Sequence, residues 1–337
     1  MINKILIIGY GSIAKKHIRL LRELMPSAQI GLLRHSQVSD IPVHVDTLLN
    51  SIDDAKKFRP ELTVVCNPSS MHIPAAIQMA EIGSSLFIEK PLSSNVVGCE
   101  KLIQIIKRNK LVSRVGYNLR YSPSLRFFKD LVAEHHFGRP LMVSCEVGHT
   151  LKKWRDGVSY ANTVSARREL GGGVLLELSH ELDYLHWIFG KFSWVSSMLT
   201  SQSDMLLDVE DTASLLLEFR DICAPKKLLA RVSLDFIRHN KTRYCEVIME
   251  RGSLRWNGIS GTVESFSEDE GGWQVIFDYG PDLDGTYLAQ WHDFLEVYGR
   301  RDANTDSIED GLYIVSAVMA AQISSENNCI KTLINEP

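Results

Sequence analysis

A glycine turn at residues 9–14, a lysine at position 90 and a histidine at position 180 are the residues of this chain best suited to chemistry. The apolar run Ile5-Leu6-Ile7-Ile8 enters Gly9-Tyr10-Gly11-Ser12-Ile13-Ala14 directly. In such a pattern Gly9 takes a tight turn, Gly11 lets backbone approach a pyrophosphate, and small Ala14 lets the following helix pack close to the strand. A helix that opens at Ser12 and Ile13 aims its free N–H groups at phosphate. The context favours dinucleotide binding: a buried strand before the turn, an amphipathic helix after it (Ile13, His17, Leu20, Leu21, Leu24), then a second strand over 29–33. Oxidation of a secondary alcohol by a dinucleotide needs a base near neutrality for the hydroxyl proton and a group that stabilises the oxygen as it gains charge. A histidine, with a reference pKa of about 6.5, suits the first task. Lys90, at the carboxyl end of a strand over 86–88, lies on the edge where parallel sheets bind ligands and suits the second.

The elements that must position these residues follow from hydrophobic pattern. Strands over 62–66, 86–88 and 113–116 alternate with helices over 73–82 and 97–106, which predicts a doubly wound parallel sheet ending near Tyr121. Beyond Pro123 the pattern changes. A helix over 125–134, a strand over 141–147, a polar loop over 148–170 and a helix over 174–189 precede candidate strands over 194–201, 212–219, 228–236, 244–249, 252–256, 262–266 and 273–279. Strands that follow one another without helices predict an antiparallel sheet. Helices over 287–298 and 308–325 close the chain. The expected organisation is therefore an α/β fold: a dinucleotide-binding domain over 1–121 and a substrate-binding α+β domain over 122–337 with a large, mainly antiparallel open sheet.

Composition narrows the function classes. The chain has 337 residues, 45% of them hydrophobic, and a formal net charge of -4 without long single-sign runs. That gives no electrostatic case for nucleic acid or an anionic membrane. The cysteines at 66, 99, 145, 223, 245 and 329 are scattered, with no C-x-x-C pair and no zinc spacing, so reduced thiols in a cytoplasmic protein and no metal site are expected. No apolar run approaches the roughly 18 residues of a membrane span, and no signal peptide or anchor is expected.

Three further motifs carry a resemblance: Cys66-Asn67-Pro68-Ser69-Ser70-Met71-His72, Phe87-Ile88-Glu89-Lys90-Pro91, and Gly171-Gly172-Gly173-Val174-Leu175-Leu176-Glu177-Leu178-Ser179-His180-Glu181-Leu182-Asp183. With the glycine turn, Gly116-Tyr117-Asn118-Leu119-Arg120-Tyr121 and Ile308-Glu309-Asp310-Gly311-Leu312, they make nearly the whole chain resemble the glucose-fructose oxidoreductase / inositol dehydrogenase / MocA (Gfo/Idh/MocA) family. The resemblance implies a Rossmann domain followed by an α/β domain whose open sheet often forms the oligomer contact, here a dimer or tetramer. It implies NAD(P)-dependent hydride exchange with a secondary alcohol or ketone of a sugar, sugar nucleotide or cyclitol. It also implies catalytic roles for Lys90 and His180, a cofactor site that includes Asn67, Pro68, His72 and Lys90, and a cis peptide before Pro91.

One departure from the family pattern stands out. The family commonly places Asp four residues before the histidine; here Leu176 holds that position and Glu177 lies three before. On a continuous helix Glu177 and His180 share a face, and Asp183, three residues after, is the rival partner; both are candidates. Glu89 reads either as an inward carboxylate near the cofactor or as a partner for a nearby backbone N–H. Tyr117, Asn118 and Arg120 lie just past a strand end and are expected at the substrate with His180. The loop over 148–170 holds His149, Lys152, Lys153, Trp154, Arg155, Tyr160, Arg167 and Arg168, and of these Trp154, Arg155 and Tyr160 are expected at substrate. Such a loop suits a sugar bearing a phosphate, nucleotide or carboxylate, or is simply solvated.

Cofactor choice is read at the end of the second strand, where NAD sites usually carry an acid. This chain has Leu33-Arg34-His35-Ser36, and Arg34 with Ser36 can pair with a 2′-phosphate, so NADP is favoured over NAD. Two other readings of the same residues are a non-catalytic dinucleotide-binding sensor and an epimerase-type enzyme that recycles a tightly held cofactor.

Overall fold

The computed structural model describes residues 2–34, 40–154, 157–220, 227–269, 271–282 and 284–334. The chain divides into two compact units, one of residues 1–117 and 290–315 together with 337, the other of 118–289 and 316–336. Residues 290–315, expected in the second domain, pack with the first unit.

The first unit is built on β1 (Lys4–Ile8), α1 (Ser12–Leu24), β2 (Gln29–Leu33), β3 (Thr47–Leu49), α2 (Ile52–Phe58), β4 (Leu62–Val65), α3 (His72–Glu81), β5 (Ser85–Ile88), α4 (Cys99–Asn109) and β6 (Ser113–Val115). The strands form one parallel sheet in the order β3-β2-β1-β4-β5-β6. Ile5, Leu6 and Ile7 are fully buried in succession, as a strand covered on both faces requires. The strand order reverses direction at β1, which makes the carboxyl ends of β1 and β4 the place where such sheets open a ligand crevice. Two short elements escaped sequence reading, β3 and α2. The start of α2 is fixed by Ser51, whose hydroxyl accepts the Asp54 N–H at 3.1 Å, with Asp53 and Asp54 in the first turn to complement the helix dipole.

The second unit contains α5 (Pro123–Ala133), β7 (Pro140–Gly148), α6 (Val174–Glu177), α7 (His180–Phe189), β8 (Phe192–Thr200), β9 (Thr212–Phe219), β10 (Leu229–Asp235), β11 (Thr242–Met249), β12 (Ser253–Asn257), β13 (Thr262–Ser267) and β14 (Gly272–Asp278). Then α8 (Gly285–Arg300) and α9 (Asp306–Glu326) supply residues to both units, and β15 (Thr332–Leu333) ends the sheet. The nine described strands run β14-β13-β12-β11-β7-β10-β9-β8-β15, antiparallel except for the parallel pair β7 and β10. The expected α/β fold, a Rossmann sheet followed by a mainly antiparallel open sheet, is the observed one.

Register sorts this sheet's two faces. Val195, Leu215, Val232, Cys145, Val247 and Trp256 are buried on one face, where the Trp256 indole N–H donates to Ser124 Oγ of α5 at 2.9 Å and Tyr184 of α7 meets Cys145. Met198, Leu216, Arg231, Glu246, Arg255 and Glu264 fall on the other face, and Met198 and Leu216 are exposed there. A one-residue slip would exchange the two sets, so the buried face pins the pairing.

The expected helix over 174–189 is broken. α6 ends at Glu177 and α7 begins at His180, with Leu178 and Ser179 between them. Glu177 and His180 therefore do not lie on one continuous helix, and the shared-face argument for that pair fails. Among the described residues no helix is long and apolar enough to cross a membrane, and no cluster of His, Cys, Asp or Glu is placed to hold a metal ion. The described cysteines, at 66, 99, 145, 245 and 329, are free thiols, and Cys223 lies outside the described residues.

Candidate active site

The first unit contributes a cradle at the carboxyl end of β1. Gly9 has a φ of +95°, and a Cβ placed there would lie 2.7 Å from the Asn67 nitrogen and 2.8 Å from the Cys66 carbonyl. Only glycine allows the β1 turn to pass this close to the β4 turn. Gly11 caps α1 with open space beside its Cα, no side chain caps the helix, and its first turn holds no acid. Ser12 is exposed, Ile13 half-buried and Ala14 fully buried, so Ala14 makes the close helix contact while the helix end stays open. Backbone donors, an uncompensated helix dipole and a turn without Cβ atoms are what a dinucleotide pyrophosphate requires, and these residues fit it.

Positive charge gathers beside the cradle. The Arg34 guanidinium, just past β2, lies 5.6 Å from the centre of the Tyr10 ring, and Lys15 Nζ lies 5.0 Å from the same ring. Ser36 and His35 lie outside the described residues.

The turns after β4 and β5 are tied together by His72. This buried imidazole reaches the Asn67 carbonyl through Nε2 at 2.8 Å and the Pro91 carbonyl through Nδ1 at 3.0 Å. Burial holds His72 below its ordinary pKa of 6.5, although the two carbonyls act in the opposite direction. Asn67, Pro68, His72, Lys90 and Pro91 thus belong to one local structure; Lys90 is half-buried and the Lys90–Pro91 peptide is cis, as expected.

The Glu89 side chain is buried. Its Oε2 accepts the Lys90 N–H at 3.2 Å, as the second reading expected. Its Oε1 lies 2.7 Å from His17 Nε2, and His17 Nδ1 accepts the Trp291 indole N–H at 3.0 Å. Sequence reading placed His17 only on the apolar face of α1 and missed this chain of contacts. The available signal was a polar ring among leucines, which demands a buried partner from elsewhere.

In the second unit His180 is the first residue of α7 and is buried. Arg120 and Asp183, singled out separately, meet in a two-pronged pair: Nε donates to Oδ2 at 3.0 Å and Nη2 to Oδ1 at 2.7 Å. This pair ties the turn after β6 to the first turn of α7. Glu177 accepts the Ser165 hydroxyl at 3.0 Å. Neighbouring Glu181 is fully buried and pairs with Arg243 Nε at 2.8 Å. At Gly173, φ is +108° and a Cβ would crowd the Glu210 carboxylate, so the glycine run makes room for an acid that also accepts the Leu175 N–H at 3.3 Å.

Of the remaining expected substrate residues, Tyr117 belongs to the first unit and is buried. Buried Asn118 donates to Thr286 Oγ1 at 2.9 Å. In the 148–170 loop, which forms short 3-10 turns, the Trp154 indole donates to the His149 carbonyl at 2.9 Å and its ring meets Phe236 edge-on. Tyr160 accepts the Leu206 N–H at 3.3 Å, and Arg155 lies outside the described residues. Burial, with Lys241 and Lys153 nearby, holds His149 below its ordinary pKa.

Comparison with known proteins adds three findings. Two Gfo/Idh/MocA family models match, the oxidoreductase family's NAD-binding Rossmann fold over residues 3–117 and its C-terminal alpha/beta domain over residues 129–331. Inositol 2-dehydrogenase/D-chiro-inositol 3-dehydrogenase of Halalkalibacterium halodurans is 24% identical over 190 residues, 54% of this chain and 51% of that protein. The chain spans about half to just under two thirds of the curated relatives it matches first. Levoglucosan dehydrogenase in complex with NADH and L-sorbose has a TM-score of 0.84 at 16% identity, over 99% of each chain. The WlbA dehydrogenase of Bordetella pertussis, in complex with NADH and UDP-GlcNAcA, has a TM-score of 0.80 at 17% identity over 99% of each chain. At these identities the two structures establish the fold.

Proposed function

This chain belongs to the Gfo/Idh/MocA oxidoreductase family, and from that premise we propose that it is an NAD(P)-dependent dehydrogenase or reductase acting on a secondary alcohol, or the matching ketone, of a sugar, sugar nucleotide or cyclitol. The observation that carries this reading is the Gly9 to Ala14 cradle joined through His72 to the turn that bears Lys90. The names of the relatives, which concern inositol, levoglucosan and a uridine-diphosphate sugar acid, support the substrate class.

When bound, the nicotinamide exchanges a hydride with the carbon that bears the reacting oxygen. Gly9, Gly11, Ser12, Ile13 and Ala14 hold the pyrophosphate, and Asn67, Pro68 and His72 shape the neighbouring wall. Lys90 Nζ donates to the reacting oxygen and stabilises its charge. The His180 ring takes the hydroxyl proton in oxidation and returns it in reduction. Asp183, clamped by Arg120, and Glu177, held by Ser165, fix the backbone on either side of His180 and act as positioning residues. Tyr117, Asn118, Trp154 and Tyr160 are the proposed substrate contacts.

NADP is the favoured cofactor, because Arg34 stands where an acid would otherwise take the ribose hydroxyls. The open face of the second unit's sheet, with exposed Met198, Leu216 and Ile248, is proposed to pair with a second copy, in a cytoplasmic dimer or tetramer. Nine strands about 4.8 Å apart and some seven residues long offer roughly 900 Å² per copy, close to a standard stable interface.

The test is a panel of polyols, sugar nucleotides and cyclitols with NADP and NAD, read at the absorbance band of the reduced nicotinamide. Turnover of at least one member is expected. Saturable cofactor binding with no redox change across the panel would replace this reading with a sensor role.

A further inference from the structure

The buried chain Trp291, His17 and Glu89 lies entirely within the first unit and is not consumed by the roles above. Trp291 is fully buried and stacks on Phe87 of β5 with ring centres 4.4 Å apart, so its indole direction is fixed by packing. An indole nitrogen can only donate. His17 Nδ1, 3.0 Å away, must therefore present its lone pair, and the single ring proton sits on Nε2 and is donated to Glu89 Oε1 at 2.7 Å. A doubly protonated His17 would set two donors head to head against Trp291. The arrangement thus gives Glu89 a neutral partner, and its other oxygen takes the Lys90 N–H. Among the other ionisable groups facing Glu89, burial and the Glu89 charge itself push the Cys66 thiol well above its ordinary value, so that thiol adds no charge.

The position of this charge matters. Glu89 follows β5, faces Cys66 after β4, and stands where a Cβ on Gly116, after β6, would come within 2.8 Å of Oε1. The dinucleotide pyrophosphate belongs at the β1 turn and its adenosine ribose at the end of β2. The nicotinamide half then runs to the other side of the switch point, over the ends of β4, β5 and β6.

We propose that Glu89, held by His17 and Trp291, biases the bound dinucleotide toward its oxidised form. The oxidised nicotinamide ring carries a positive charge that reduction removes, so a fixed carboxylate beneath it stabilises one redox state over the other. This inference rests on the dinucleotide reading above. A unit charge about 10 Å away, at an effective dielectric near 20, alters the ratio of the two dissociation constants roughly tenfold. Any contribution from Lys90 or His72 is common to the native chain and its variants and leaves the sign unchanged.

The experiment measures dissociation constants of NADP⁺, NADPH and 2′-phospho-ADP-ribose by fluorescence titration for the native chain, Glu89→Gln and Glu89→Asp. Glu89→Gln keeps the shape and an oxygen acceptor but removes the charge; Glu89→Asp keeps the charge but shortens the reach to His17. The expected result is a ratio of oxidised to reduced dissociation constants about tenfold higher in Glu89→Gln, a change under threefold in Glu89→Asp, and unchanged 2′-phospho-ADP-ribose binding in both. A purely structural role predicts the opposite order, with Asp the more damaging. An unchanged ratio in Glu89→Gln, with both dinucleotides still bound, overturns this inference alone. Failure of the native chain to bind either dinucleotide overturns the dinucleotide reading with it.

Discussion

Arg34 shows how far a single residue's chemistry can be carried. It follows β2 and shares the Tyr10 ring with Lys15, which gathers cationic charge where the proposed cofactor's 2′ substituent would lie. A charge-assisted contact to a phosphate contributes about 1.5–3 kcal/mol. Arg34→Asp is therefore expected to weaken NADP binding at least tenfold and to leave or improve NAD binding, as measured by titration calorimetry. Equal constants for both cofactors before and after the change would remove the NADP assignment. The same scale shows what one-letter reading misses. The glycine turn is legible because Gly9 has no substitute at its φ, whereas His17 looked like one more position on an apolar helix face. Its partners, Glu89 and Trp291, lie 72 and 274 residues away in sequence. No local pattern points to them.

Local rules set most elements, and the exceptions have identifiable causes. The parallel strands were legible because short, mostly apolar runs alternate with amphipathic helices, and the second sheet because one face alternates with the other. β3 and α2 are too short for periodicity to register. The break at Leu178 and Ser179 was hidden because Leu175, Leu178, Leu182 and Leu185 keep helical spacing across it, while the pairing that secures α7 is distant: Arg120 clamps Asp183. Asp183 is almost wholly buried, so Arg120→Met leaves a carboxylate without its main counter-charge and is expected to cost about 3 kcal/mol by denaturant unfolding. A change below about 0.5 kcal/mol would show that the pair does not secure α7.

Asp211 stands at the entry to β9. Burial alone would raise the Asp211 carboxyl, but the Gln202 and Ser203 N–H groups and the Ser203 and Thr212 hydroxyls outweigh it and hold the pKa below its ordinary 3.8. A pKa lowered by folding stabilises above the unfolded value and loses that contribution as pH falls through the folded one. The melting temperature of Asp211→Asn should accordingly trail the native chain's at neutral pH, by an amount equivalent to about 1–3 kcal/mol. The gap should narrow below about pH 4. A gap independent of pH in scanning calorimetry would contradict this.

On the scale of the whole molecule, two units of different architecture recur together along the chain as the two halves of one family. The open sheet face has a size and composition that suit self-association: exposed apolar side chains lie beside the charged ladder in which Arg255 bridges Glu246 and Glu264. Sedimentation velocity should give a dimer or tetramer, and Met198→Glu combined with Leu216→Glu should reduce it to one chain without lowering the melting temperature by more than a few degrees. A native monomer would remove the self-association claim and leave the chemistry untouched.

The proposed chemistry rests on Lys90. The most direct measurement compares the native chain with Lys90→Met for cofactor dissociation constant and for turnover on whichever panel substrate proves active. A dissociation constant within about twofold of native and kcat reduced by 10² to 10³ or more are expected, the loss typical of removing one donor from a developing oxyanion. Turnover retained within tenfold, with cofactor still bound, would contradict it.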